Sequence, residues 1–102
     1  MIISSQRYLN DEIVAEKQAA KDYVVMLSPV FEIDGVECQT VLDGHHSLEA
    51  AQIDGVDPVF EVADCSVSDN IGLLEDGKVD DFLEACHIDD NWYNVESGKY
   101  VW

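Results

Sequence analysis

The residues with the most chemistry in this chain lie in one run: Asp43, Gly44, His45, His46 and Ser47. Glycine lets the backbone turn sharply and approach a ligand closely. The two imidazoles donate hydrogen bonds and change charge near neutral pH. Ser47 can cap a following helix or bond a phosphate oxygen. A helix starting here would present unpaired N–H groups and the positive end of its dipole, which together attract anions. These five residues are therefore the candidate phosphate or nucleotide site. Metal binding is not expected, because adjacent side chains point apart and no further ligand follows at fixed spacing. The competing reading is structural: a polar loop whose rings hydrogen-bond the backbone.

The flanking pattern supplies the elements that would hold this loop. After it, Leu48, Ala50, Ala51 and Ile53 form the apolar face of a helix, and Asp54-Gly55 closes it with a natural left-handed cap. Before it, residues 30–33, the Asp34-Gly35 turn and residues 36–42 read as a hairpin, since Asp-Gly between apolar segments favours one. Residues 23–27 form a β-branched apolar run that Pro29 ends or bends, and residues 58–62 form another strand. Ile2-Ile3 opens as a short strand, with turn or cap chemistry at Ser4-Ser5. Asn10 or Asp11 caps a helix reaching about Lys21, with Ile13, Val14, Ala19 and Ala20 as a modest stripe. Its acids precede its lysines, as the helix dipole prefers. Ile71, Leu73 and Leu74 suit a short helix ending near Gly77. Val79, Phe82, Leu83 and Cys86 recur at helical spacing, which predicts a helix over residues 78–87. Residues 92–95 and 100–102 frame a closing hairpin, with Trp92, Tyr93, Tyr100 and Trp102 as a small core cluster.

The expected fold class is α+β: a small mixed sheet, a helix after the Gly44 loop, a second helix near 78–87 and a C-terminal hairpin. The chain has 102 residues, the size of one domain. No internal repeat or linker interrupts it.

The run Val41-Leu42-Asp43-Gly44-His45-His46-Ser47-Leu48-Glu49-Ala50-Ala51, followed by Gly55 and a strand, resembles the ParB/sulfiredoxin-like superfamily. The pattern there is a strand, D-G-H-H-R, a helix reading L-x-A-A, a glycine and a strand. The resemblance covers about residues 2–62 as a core and leaves 63–102 as an extension. It implies a nucleotide or phosphoryl site at Asp43 to Ser47. The departures weigh against the superfamily's chemistry. Ser47 stands where the pattern has arginine, and serine replaces neither its charge nor its bidentate grip on phosphate. His45 occupies the position of the sulfiredoxin nucleophilic cysteine, so sulfinic acid reduction is not expected. Nothing after Ala63 is basic enough for a DNA-binding helix-turn-helix region. Relatives that phosphorylate a free amino acid need an acidic base, for which Glu12, Glu16 and Asp43 are the candidates.

The charge narrows the partners. Five basic residues face 22 acidic ones, a formal net charge of -17. The acids are spread along the chain. Such a field repels nucleic acid, whose binding rests on Lys and Arg displacing counterions. It also repels anionic membranes and attracts basic surfaces. The acids serve solubility or salt tolerance, or they imitate a nucleic acid and occupy a partner's basic groove. Asp80, Asp81, Glu84, Asp89 and Asp90 form either a solvated face or such a phosphate-like ladder. No apolar run approaches the roughly 20 residues that span a bilayer, and no secretion signal opens the chain, so a cytoplasmic location is expected. Cys38, Cys65 and Cys86 are an odd set without a C-x-x-C, expected as free buried thiols. Cys86-His87 reads as a core thiol beside a surface ring.

Two functional expectations lead. The first is a non-enzymatic acidic interaction protein that occupies a basic, nucleic-acid-handling surface, such as an inhibitor of a restriction or CRISPR complex. The alternative is a minimal nucleotide-binding phosphotransferase or hydrolase, working at Asp43 to Ser47 with Mg²⁺. A third is an accessory module whose loop is a relic. No residue is assigned a catalytic role under the first.

Overall fold

The computed structural model describes residues 1–64 and 68–101; Cys65 and Trp102 lie outside the described residues. The elements run β1 (Ile2–Ser4), α1 (Asp11–Ala20), β2 (Val24–Leu27), β3 (Phe31–Ile33), β4 (Val36–Asp43), α2 (His45–Asp54), β5 (Val59–Val62), α3 (Ile71–Glu75), α4 (Val79–Cys86) and β6 (Tyr93–Asn94). The fold is α+β, as the pattern predicts. One mixed sheet has the order β5-β2-β4-β1-β6, with β3 also paired to β4. β1 runs parallel to β4, and β2 parallel to β5; the β2–β4, β3–β4 and β1–β6 pairs are antiparallel. The eight-residue β4 is the spine of the sheet. The Asp34-Gly35 turn sits where its dipeptide signal places it, with both residues at positive φ. The C-terminal strand pair forms through the Tyr93–Tyr100 bridge.

The two sheet faces are covered differently. One face buries Ile3, Phe31, Cys38, Phe82, Leu83 and Trp92 beneath α3 and α4. Phe82 is fully buried and meets Phe31 edge-on at 5.7 Å between ring centres. Burying a side chain of that size contributes about 2–3 kcal/mol. The 3.6-residue spacing of Val79, Phe82, Leu83 and Cys86 is what turns α4 inward. The other face buries Val25, Leu27 and Val41, with Leu48 of α2 packed on them.

α1 departs from expectation. Only Val14 of its stripe is buried; Ala19 and Ala20 are exposed, and Ile13 is 36% exposed. The reason is its place in the layers: α1 packs chiefly on α2, so it needs only a narrow contact. Ile53 is likewise not on the buried face of α2, being 58% exposed; His45, Ser47, Ala50 and Ala51 are buried instead. β5 ends the sheet, and all four of its residues are exposed. Cys38 is buried, Cys86 half-buried and His87 exposed. Both of these thiols are free, and burial pushes each one's pKa up.

Thr40 has no access to solvent, and its hydroxyl has no hydrogen-bond partner. An unsatisfied buried hydroxyl costs about 1–3 kcal/mol. Thr40→Val keeps the shape and removes the orphan group, so it should stabilise the protein by about 1 kcal/mol. Urea denaturation reads this directly; a loss of stability would show that the hydroxyl has a partner in solution.

Candidate functional site

The Asp43–Ser47 run connects β4 to α2 with no intervening residue except Gly44, which is the N-cap at φ 91°. That conformation suits glycine alone, and space demands it as well. A Cβ at this position would sit 2.5 Å from the Val24 carbonyl oxygen and 2.9 Å from Val25 Cα. The loop therefore lies hard against the backbone of β2.

The two histidines of the run reach different segments, while Asp43 stays within it. Asp43 Oδ1 accepts the Gly44 N–H at 2.8 Å. His45 Nε2 lies 2.7 Å from the Ser4 hydroxyl of β1, in a buried contact. Ser4 Oγ also accepts the Gln6 N–H. The hydroxyl and the ring thus share one short hydrogen bond. Burial lowers the His45 pKa to about 4; Asp43 pulls against this, His46 adds to it, and Asp89 again opposes it. His46 Nε2 accepts the Asn10 backbone N–H at 3.1 Å and thereby holds the N-cap residue of α1. Asn10 in turn caps α1 through its side chain, accepting from Glu12 and Ile13. Ser47 is buried and makes no helix cap. It lines the same cavity as Asp22, a carboxylate held below its ordinary pKa by Lys17 first, then by the Val24 N–H, and to a lesser degree by Ser47. His45, His46 and Ser47, with Gly44 pressed on β2, thus bring β1, α1, the α1–β2 turn and β2 to the start of α2.

A cavity of about 380 Å³ opens beside the loop, lined by Asp43, Gly44, His46 and Ser47 together with Lys17 and Asp22. Of the three carboxylates expected as a base, Asp43 lines this cavity; Glu12 and Glu16 are exposed on α1 and do not. Lys17 is the cation that sequence reasoning missed. It sits there at 3.0 Å from Asp22. Its helical position put it in the last turn of α1, and only the packing of α1 on α2 carries it to the loop. His45 faces a different cavity of about 540 Å³, shared with Arg7, Glu49, Gln52 and Tyr93. Among the described residues, no three His, Cys, Asp or Glu side chains gather as metal ligands.

The expected acidic surface divides in two. Asp80, Asp81 and Glu84 are exposed on α4, the first two in its first turn. Asp89 and Asp90 lie beyond the end of that helix and do not continue its face. They fold back on Arg7. Asp89 accepts the backbone N–H groups of Arg7 at 2.7 Å and Tyr8 at 3.3 Å. Asp90 pairs with Arg7 Nε at 3.2 Å and accepts the Tyr100 hydroxyl at 2.9 Å. The Arg7 guanidinium also donates to the Gly98 carbonyl and lies 3.7 Å over the Tyr93 ring. The lone arginine is thus an internal clamp between the β1–α1 connection and the C-terminal hairpin. The aromatic cluster divides likewise: Trp92 is buried in the core, while Tyr93 and Tyr100 flank Arg7.

Fold and loop together define a small α+β domain with a mixed sheet and a glycine-dependent strand-to-helix junction. No known protein family, curated protein or solved structure matches the chain. No helix among the described residues is long and apolar enough to cross a membrane.

Proposed function

We infer that this chain is a non-enzymatic acidic interaction protein that occupies a basic, nucleic-acid-handling surface of a partner, as an inhibitor of a restriction or CRISPR complex would. The observation that carries this reading is the placement of the acids: none of the 22 is buried. Five basic residues cannot neutralise them, and Arg7 and Lys17 are already paired internally. Self-repulsion of this size costs the fold stability. A partner with a basic groove would return that cost as binding energy and fast encounter. The loop adds support. Its polar groups are taken up by contacts within the chain, so the D-G-H-H resemblance is read here as a ParB/sulfiredoxin-like scaffold without its chemistry.

Asp80, Asp81 and Glu84 are the acids to test, because Asp89 and Asp90 hold the fold. Reversing all three to lysine should leave the melting temperature close to wild type. The same change should weaken inhibition of a sensitive nuclease by at least about tenfold at physiological salt. Inhibition that ignores both salt and these reversals would sink the reading.

One observation favours the nucleotide alternative: Lys17 brings a cation to the loop cavity, where the superfamily pattern has an arginine. A nucleotide at a hundredfold its dissociation constant would stabilise the protein by about 2.7 kcal/mol. The interaction reading expects no thermal shift with ATP, ADP, CTP, GTP or phosphate, with or without Mg²⁺. A shift that Lys17→Ala abolishes would establish the enzyme-like reading instead.

A further inference from the structure

We propose that the outer edge of β5, unpaired among the described residues, is the docking site for an extended, basic segment of a partner protein, which adds to the sheet as a further strand. This rests on the acidic-interaction reading and names one surface and one partner chemistry for it. The backbone is prepared for pairing. Val59 and Ala63 donate their N–H groups inward, to the carbonyls of Tyr23, just before β2, and of Leu27 in β2, both at 2.8 Å. The alternation of a strand then turns the N–H and C=O groups of Phe60 and Val62 outward.

The side chains point the same way. Strands paired in parallel are ordinarily buried on both faces. Here Val59 is 53% exposed, Phe60 43% and Val62 63%. By register with Val25 and Leu27, Phe60 and Val62 lie on the face that carries α2. A groove of about 420 Å³ lies over this face, from Pro58 and Phe60 past Leu48 of α2 to Ile2 and Val95 at the β1–β6 side of the sheet. Among the described residues β5 pairs only with β2, and an edge strand with outward N–H and C=O groups and exposed apolar side chains is the geometry of β-strand addition, in which main-chain bonds give affinity.

Charge decides the occupant. The strand reads Asp57-Pro58-Val59-Phe60-Glu61-Val62-Ala63-Asp64, with acids before, within and after it. Charges and proline at a strand edge discourage self-association. A second copy would bring another net charge of -17 against the first. The same acids attract lysines and arginines flanking an apolar strand. The edge therefore rejects its own kind and selects a basic partner.

The test uses the whole protein with three short synthetic peptides: alternating lysine and valine, alternating glutamate and valine, and oligolysine matched in charge. The Lys/Val peptide should bind, and it should slow hydrogen exchange at the Phe60 and Val62 amides. Val62→Pro removes an outward donor and leaves the inward ladder intact, so it should weaken that binding about tenfold. Should Val62→Pro fail to fold, the wild-type exchange pattern alone decides. Oligolysine binding as tightly, without protection at Phe60 and Val62, would overturn the edge proposal and leave the acidic-interaction reading standing. Equal binding of the Glu/Val peptide would overturn the charge selection. A dimer of the protein alone, dissolved by Val62→Pro, would make a second copy the occupant and overturn the proposal.

Discussion

Gly44→Ala should cost this protein about 3–5 kcal/mol, the sum of a left-handed backbone penalty and a steric one. Total stability of a domain this size is about 5–15 kcal/mol, so the variant should be marginal or unfolded at room temperature. The backbone penalty alone is small, about 1–2 kcal/mol. The larger part comes from the Val24 carbonyl oxygen, 2.5 Å from the new methyl group. That atom is backbone in a strand paired on both sides, so it cannot swing aside as a side chain would. Relief requires β2 to move away from the start of α2, against which the loop packs. Gly55 is the internal control. It also has positive φ, 68°, but nothing lies within 4 Å of its would-be Cβ. Gly55→Ala should therefore cost only about 1 kcal/mol. Urea midpoints for the two variants and wild type decide the matter; equal losses would mean that the loop does not press on β2 in solution.

Acidification should expose the second large effect, through His45. Its pKa is about 4 in the native protein against 6.5 ordinarily, because the ring is buried. Between those two values the unfolded chain binds a proton that the native state excludes. The contribution is thus fully present above pH 6.5 and is lost as pH falls toward 4. About 2 kcal/mol should disappear between pH 7 and pH 5. Carboxylate titration near the low end relieves self-repulsion and acts in the opposite sense. His45→Gln separates the two, since it keeps the acids and a hydrogen-bonding side chain but does not titrate. The wild type should lose about 2 kcal/mol more than His45→Gln over that interval. Parallel stability–pH curves would show that the ring is already solvated in the native protein.

Local signals carried much of the fold. The Asp34-Gly35 turn, the 3.6-residue spacing of α4, the Asn10 cap and the glycine after α2 act through neighbours a few residues away. That is why the element order was legible. The choice of buried face was less so for α1 and α2. Ile13, Ala19, Ala20 and Ile53 have the right residue types, yet what a helix covers depends on the layer beneath it.

The sequence by itself determined the elements, the charge and the need for glycine at a strand-to-helix junction, because each depends on residue type and short spacing. The tertiary structure decided what those residues do. Ser4, Asn10, Asp22 and Val24 meet the Asp43–Ser47 run only because β1, α1 and β2 are folded around it. Asp89 and Asp90 look like Asp80 and Asp81 in the chain, but the turn after α4 sends them to Arg7, more than 80 residues away in sequence. Lys17 and Arg7 carry the same charge, and packing alone assigns one to the loop cavity and the other to a clamp. Hydrogen bonds across such separations follow from burial and layer order, and no local pattern of residues encodes them.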